Sequence, residues 1–291
     1  MSNDAITVFE SQLVGQVGED NVQSVTDANG KPAFWRAPLN SSQVREFQSN
    51  SAVISGIFAD VALTVDEIGG PDSGVSGGST GLSNSTSPQP EKRDFLRTQD
   101  FSPWDLKMIS QAKGVNLALA EYTYDSSAGR GITAYVVDSG ANAQHPEFMA
   151  MPGTKRWIFP GGFDRNLTPD LDKDDKIGHG SCVLSRIGSP KYGVAKNVDV
   201  VIVKLQAVRS TDPGADPFKV LTSTFAAALI DIKKDLEDRT TPSVPGMAVI
   251  NFSFGGKSTV SGLKQFLPWF LHSLSAPSLT MRLPSCPGTP L

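Results

Sequence analysis

The sequence predicts an α/β fold in which a parallel sheet is flanked by helices. Three apolar runs, 131–137, 198–205 and 247–254, have the length and the β-branched composition of strands buried on both faces. Between the second and the third run, apolar residues recur at steps of three or four, which predicts a helix. Strands that alternate with helices are typical of a parallel sheet, whose reactive groups collect at the carboxyl ends of its strands.

The predicted helix begins at Asp216, which can act as its N-cap, with Pro217 at the first helical position. Its apolar residues predict a single buried stripe. These residues are Leu221, Phe225, Leu229, Ile232 and Leu236.

Composition divides the chain into four parts. Residues 1–68 combine apolar patches with a helix-like segment that starts near Ser41 or Ser42, and they fit a small α+β module. Residues 69–93, rich in Gly, Ser, Thr and Pro, are predicted to be a flexible linker. Residues 94–256 hold the predicted sheet. Residues 257–291 form an atypical tail with several prolines, which we expect to break any regular element.

The linker ends at Lys92-Arg93, an exposed dibasic pair. Such a pair can be cut by a processing protease, and it can equally be plain solvated charge. The residues alone leave both interpretations open.

Charge and hydropathy exclude two classes of partner. The formal net charge is -4 and the basic residues form no stripe, so nucleic acid is not expected as a partner. No apolar stretch approaches the ~20 residues that a membrane span needs. The N-terminus lacks the pattern of a signal peptide, which predicts that the protein stays inside the cell or that its true start lies upstream.

Asp138 and His179 are the candidate catalytic residues. Asp138 follows the first predicted strand and therefore lies at the reactive edge of the sheet, although a turn-capping role would also suit it. His179 lies in the segment 178–183, where a structural histidine is the alternative. A serine nucleophile needs a base, and that base needs a buried carboxylate to set its tautomer.

Four ordered blocks resemble the subtilisin-like serine proteases, the subtilases of the peptidase S8 family. Residues 134–140 with 145–148 resemble the aspartate block, and 178–183 resembles the histidine block, with Ser181 in the place of a threonine. Residues 193–205 and 249–256 resemble the two strand segments that follow. The segment 102–110 also resembles the start of the mature enzyme, and residues 1–68 loosely resemble its propeptide.

This resemblance implies a serine endopeptidase that acts on proteins or peptides. Asp138 would orient His179, and His179 would serve as general base and then as general acid. The backbone of Ser253, Phe254 and Gly255 would pair with the extended substrate, although a plain buried strand is the alternative there. The family also implies secretion. No cofactor is identified, and calcium, which the family allows, has no assigned site.

Three neighbouring features are not assigned to catalysis. His145 follows the aspartate loop and is expected to be structural. The acidic run 170–175 lacks the glycine and the closing glutamate of an EF-hand, so we interpret it as a solvated loop, with a metal site as the alternative. Cys182 lies three residues beyond His179, and its thiol is not expected to point at the imidazole.

The resemblance ends after Gly256. Neither an oxyanion asparagine nor a Gly-Thr-Ser-Met-Ala-like block follows, and Ser285 has no matching motif around it. The sequence therefore predicts a subtilase with the aspartate and histidine present and the serine not found; the alternative is an inactive pseudoprotease or a propeptide-bearing fragment. We expect residues from about Lys257 onward to be a frame-shifted or mis-spliced tail, which would leave a sheet edge unpaired and apolar surface exposed.

Overall fold

The computed structural model describes residues 3–50, 52–64, 96–160, 174–206, 219–239, 247–254 and 279–281. Its α-helices are α1 Asn3–Val17, α2 Ser41–Asn50, α3 Trp104–Ser110, α4 Pro146–Met149, α5 His179–Gly188 and α6 Thr222–Arg239. Its strands are β1 Gln23–Thr26, β2 Pro32–Arg36, β3 Ala62–Thr64, β4 Leu96–Gln99, β5 Tyr122–Asp125, β6 Ile132–Asp138, β7 Lys155–Ile158, β8 Asp199–Lys204, β9 Lys219–Leu221, β10 Met247–Phe252 and β11 Leu279–Met281.

The core of the molecule is a five-stranded parallel sheet with the order β11-β10-β6-β8-β7. The three predicted strands are β6, β8 and β10, and they lie side by side with β6 in the middle. Tyr135, Val136 and Val137 of β6 have no exposed surface, as expected for a strand covered on both faces. The predicted α/β fold is confirmed.

Two helices cover the opposite faces of this sheet. On one face, Phe225 and Leu229 of α6 pack in a cluster with Tyr135 of β6. On the other face, Leu184 of α5 packs in a cluster with Val136 of β6. The side-chain alternation of β6 therefore sets which helix each residue meets.

The predicted start of α6 at Asp216 is wrong. The helix begins at Thr222, and the three residues before it form β9, which pairs antiparallel with β3 so that Leu63 faces Val220. Asp216 and Pro217 lie outside the described residues. Helical periodicity extends into Leu221, but pairing with Ala62 of β3, about 160 residues earlier in the chain, decides its conformation.

The predicted stripe on α6 is buried at Phe225, Leu229 and Ile232, but it is not the only buried face of the helix. Ala227 and Ile230 are buried on the side of the helix that faces away from the sheet, in a cluster with Val25 of β1 and with Phe34 of β2. The β1–β2 hairpin therefore covers the helix surface that would otherwise face water.

Residues 3–64 contain two helices and three strands, as expected for a small α+β module. Phe9 and Leu13 of α1 pack with Phe47 of α2 in a core of their own. Helix α2 begins at Ser41, as predicted, and Asn40 is its N-cap: the Asn40 side chain accepts the Gln43 backbone N–H at 3.0 Å, while the Gln43 side chain accepts the Asn40 N–H at 2.9 Å.

The expectation that prolines prevent any regular element in the tail is wrong at residues 279–281. They form β11, which pairs with residues 248–250 of β10, so this edge of β10 is not left unpaired. Exposed apolar surface is present on β10, where Met247 and Val249 are 53% and 42% exposed. The linker, Lys92-Arg93 and the rest of the tail lie outside the described residues. Within the described residues, no helix has the length and apolarity to span a bilayer.

Asp60 of the N-terminal module caps helix α6. Its carboxylate accepts the Ser223 N–H at 2.9 Å, the Ser223 hydroxyl at 2.6 Å and the Thr222 hydroxyl at 3.0 Å. Replacing Asp60 with alanine leaves these donors without their acceptor, and we expect the free energy of unfolding to fall by about 0.5–2 kcal/mol. Denaturant titration of the purified chain measures this loss.

Arg36→Ala is the matched control for Asp60→Ala. Arg36 pairs with Asp60 at 3.0 Å, and both side chains are partly exposed, so its removal should cost less than about 1 kcal/mol. If Arg36→Ala costs as much as Asp60→Ala, the ion pair and not the helix cap explains the stabilisation.

Candidate active site

Asp138 is the last residue of β6, at the carboxyl end of the central strand. Its backbone carbonyl accepts the Leu205 N–H at 2.8 Å, which continues the pairing of β6 with β8. Its side chain has no exposed surface. The strand therefore places a buried carboxylate at the carboxyl-end edge of the sheet, where reactive groups collect.

His179 is the first residue of α5, and its imidazole meets this carboxylate. His179 Nδ1 lies 2.8 Å from Asp138 Oδ1, and the His179 side chain is 13% exposed. A carboxylate can only accept this hydrogen bond, so the arrangement requires the proton on Nδ1. The lone pair of the neutral ring is then on Nε2, the nitrogen that can take up a proton.

The backbone next to Asp138 adds a second donor to the same oxygen. The Ser139 N–H donates to Asp138 Oδ1 at 2.7 Å, beside the bond from His179. Asp138 Oδ2 is buried, and no residue of the described part donates to it. A buried carboxylate is costly unless it is paired, so Asp138 depends on its two donors at Oδ1.

Gly180 lets α5 approach the loop after β6. A Cβ at this position would lie 2.3 Å from the Gly140 carbonyl oxygen and 3.0 Å from Asp138 Oδ1. The first of these distances is far shorter than a van der Waals contact, and it involves backbone that cannot swing away. Glycine at residue 180 is therefore a requirement for the contact between His179 and Asp138.

Asp175 was predicted to belong to a solvated acidic loop, and the structure corrects this. Its carboxylate accepts hydrogen bonds from Ser139 Oγ at 2.8 Å, from the Gly178 N–H at 2.9 Å and from the Ser181 N–H at 2.7 Å. Burial raises the pKa of Asp175, but the hydrogen bonds from Ser181, Gly178 and Ser139 outweigh burial and hold this pKa below its ordinary value. An acidic residue three positions before a glycine N-cap is the signal that could have identified it.

His145 and Cys182 line a cavity to which the Asp138–His179 pair does not contribute. His145 is exposed and caps α4, because its Nδ1 accepts the Glu147 N–H at 3.2 Å. Cys182 is a free, exposed cysteine that lines a cavity of about 220 Å³ together with His145. Neither Asp138 nor His179 lines this cavity. Cys286 lies outside the described residues.

The predicted substrate strand is described only in part. Ser253 and Phe254 follow β10, at the same edge of the sheet as Asp138; the Ser253 hydroxyl donates to Asn251 Oδ1 at 3.2 Å, and Phe254 is buried against Phe225. Gly255 lies outside the described residues. Substrate pairing at residues 253–255 stays a prediction.

No group of three or more His, Cys, Asp or Glu side chains in the described residues is arranged to hold a metal ion. The Asp175 carboxylate accepts N–H and O–H donors from the described residues. Residues 170–173 of the acidic run lie outside the described part.

Several known proteins that are similar to this chain are named as proteases. Alkaline protease 1 of Aspergillus clavatus is 37% identical over 163 residues, which are 56% of this chain and 34% of that protein. Subtilisin-like protease 10 of Arthroderma otae is 36% identical over 163 residues, 56% of this chain and 35% of that protein. Over this segment, the chain is similar to subtilisin-like proteases.

Two further similarities, one to a curated protein and one to a solved structure, also cover only part of the chain. Cerevisin of Saccharomyces cerevisiae is 42% identical over 118 residues, 40% of this chain and 17% of that protein. The crystal structure of a cold adapted subtilisin-like serine proteinase is 26% identical with a TM-score of 0.39, covering 62% of this chain and 54% of that one. No family model matches the chain. The chain spans about a third of the length of the first two subtilisin-like relatives.

Proposed function

We propose that His179 is the general base and Asp138 the residue that orients it in a subtilisin-type serine endopeptidase site. The observation that carries this proposal is the fully buried Asp138 carboxylate 2.8 Å from His179 Nδ1. Homology to subtilisin-like proteases supports the same assignment.

In this role, His179 Nε2 removes the proton of a serine hydroxyl as the serine oxygen attacks the carbonyl carbon of a peptide bond. The same proton then passes to the leaving amine when the peptide C–N bond breaks. Asp138 keeps its charge and stabilises the imidazolium that forms in between. The substrate class is a protein or peptide, bound as an added strand along residues 253–255.

A second candidate is a chain that binds peptides or stays inert without cleaving them. It is favoured by one observation: the 291 residues contain no Gly-Thr-Ser-Met-Ala-like block and no matching oxyanion asparagine after residue 256. Loss of an oxyanion donor alone lowers kcat by about 10²–10³, and loss of the nucleophile removes the covalent route altogether. Secretion is the location that similarity to subtilisin-like proteases suggests.

A serine-directed fluorophosphonate probe separates the two candidates. We expect no labelling of the purified chain, with a subtilisin-like protease as the positive control. Labelling that disappears in His179→Ala and in one Ser→Ala variant would show that this chain supplies its own nucleophile, and it would overturn the second candidate. Labelling that persists in both His179→Ala and Asp138→Asn would overturn the role proposed for the Asp138–His179 pair.

A further inference from the structure

We propose that Asp175 is a positioning residue that holds Asp138 and His179 in register. Its carboxylate joins the residue after Asp138 to the first turn of the helix that carries His179. This inference rests on the proposed function, since it concerns how that pair is assembled. Asp175 itself touches neither imidazole nor substrate and is not a catalytic residue.

The first link runs through Ser139. The Ser139 hydroxyl donates its proton to Asp175 Oδ1 at 2.8 Å, and its oxygen accepts the Gly180 N–H at 2.9 Å. A hydroxyl has only one proton, and Ser139 donates it to Asp175. A lone pair of the Ser139 hydroxyl oxygen is therefore available to accept the Gly180 N–H. The Ser139 backbone N–H donates at 2.7 Å to Asp138 Oδ1, the oxygen that also meets His179.

The second link runs through the start of α5. The N-cap residue Gly178 has no side chain to satisfy the first N–H groups of the helix. Asp175 takes this place by accepting the Gly178 N–H at 2.9 Å and the Ser181 N–H at 2.7 Å. Its negative charge also lies at the positive end of the helix dipole.

A third link connects Asp175, through the Ser181 hydroxyl, to the loop after β6. The Ser181 hydroxyl donates to Asp175 Oδ2 at 2.7 Å, and its oxygen accepts the Asn142 N–H at 2.9 Å. Asp175 therefore orients two hydroxyls, and each of them binds a backbone N–H across the boundary between β6 and α5.

The carboxylate is well suited to this task because both of its oxygens act only as acceptors. Hydrogen bonds to charged groups are about twice as strong as those between neutral groups. An asparagine at residue 175 would keep the shape, but its NH₂ group would face N–H and O–H donors. The lowered pKa of Asp175 agrees with a group that stays ionised at neutral pH.

The test follows the tautomer of His179 by ¹⁵N NMR of the imidazole rings, which requires no enzymatic activity. His145 is an internal reference, since its Nδ1 accepts the Glu147 N–H and must therefore carry its proton on Nε2. We expect Asp175→Asn to lower the Nδ1–H population of His179 and to speed exchange of that proton with solvent about tenfold. Asp174→Asn, the exposed neighbour, removes the same charge and should change neither quantity.

The outcomes separate this inference from the proposed function. If wild-type His179 lacks the Nδ1–H tautomer, the proposed function is overturned, because Asp138 then does not orient the imidazole as proposed. If the wild type has that tautomer and a folded Asp175→Asn behaves like Asp174→Asn, the positioning role is overturned. If circular dichroism shows that Asp175→Asn does not fold, Ser139→Ala provides the test instead. This variant removes the first link but keeps the helix cap, and it should also speed exchange of the His179 Nδ1 proton with solvent.

Discussion

Replacement of Gly180 with alanine is expected to separate His179 from Asp138. The added Cβ would lie 2.3 Å from the Gly140 carbonyl oxygen, so helix α5 must move away from the end of β6. The 2.8 Å bond between His179 Nδ1 and Asp138 Oδ1 cannot survive a shift of an ångström or more. Overpacking of this kind also destabilises a protein, typically by about 1–3 kcal/mol.

Imidazole ¹⁵N NMR and denaturant titration measure the two effects of Gly180→Ala. Gly15→Ala is the matched control: Gly15 lies in helix α1, and a Cβ there would meet no atom within 4 Å. That control should leave His179 unchanged and raise stability by up to about 1 kcal/mol. An unaltered His179 tautomer in Gly180→Ala would show that α5 can be displaced without breaking the pair.

Asp138→Asn is expected to reverse the tautomer of His179. The carboxamide has nearly the shape of the carboxylate, so the fold should persist, but the charge that holds the proton on Nδ1 is gone. An amide NH₂ can donate to Nδ1, which then moves the ring proton to Nε2. In any form of the protein that hydrolyses peptides, kcat should fall by about 10⁴, the size of effect that a wrong tautomer has in serine proteases.

The same ¹⁵N spectra measure the Asp138→Asn effect. His145 should remain Nε2-protonated throughout, because the acceptor role of its Nδ1 does not involve Asp138. Asp199→Asn is a control for the loss of one carboxylate near the sheet: Asp199 opens β8 and accepts the Thr154 N–H at 2.7 Å. A His179 that keeps its Nδ1 proton in Asp138→Asn would contradict the orienting role of Asp138.

The central sheet could be predicted because its signal is local. Residues 131–137 form a near-continuous β-branched and aromatic run, and such a run has few alternatives to a strand that is buried on both faces. The pairing of Asp138 with His179 was predicted from the motifs around them. The distance of 2.8 Å between Nδ1 and Oδ1 agrees with that interpretation.

The errors arose where distant residues decide local structure. Helix α6 starts at Thr222 because β3 pairs with the preceding residues and Asp60 supplies the cap. Its outer face is buried because the β1–β2 hairpin covers Ile230. Neither partner is visible in the local pattern of residues 216–236.

At the candidate site, the position of Asp175 likewise depends on residues from separate segments of the chain. The sequence alone established the composition of the site: a carboxylate after a buried strand, and a histidine between two glycines. Only the tertiary structure decided that Asp175 lies between them, because its donors come from two separate segments, Ser139 and residues 178–181. Motifs encode which groups are present, whereas the positions of those groups depend on packing and hydrogen bonds between segments that are distant in the chain.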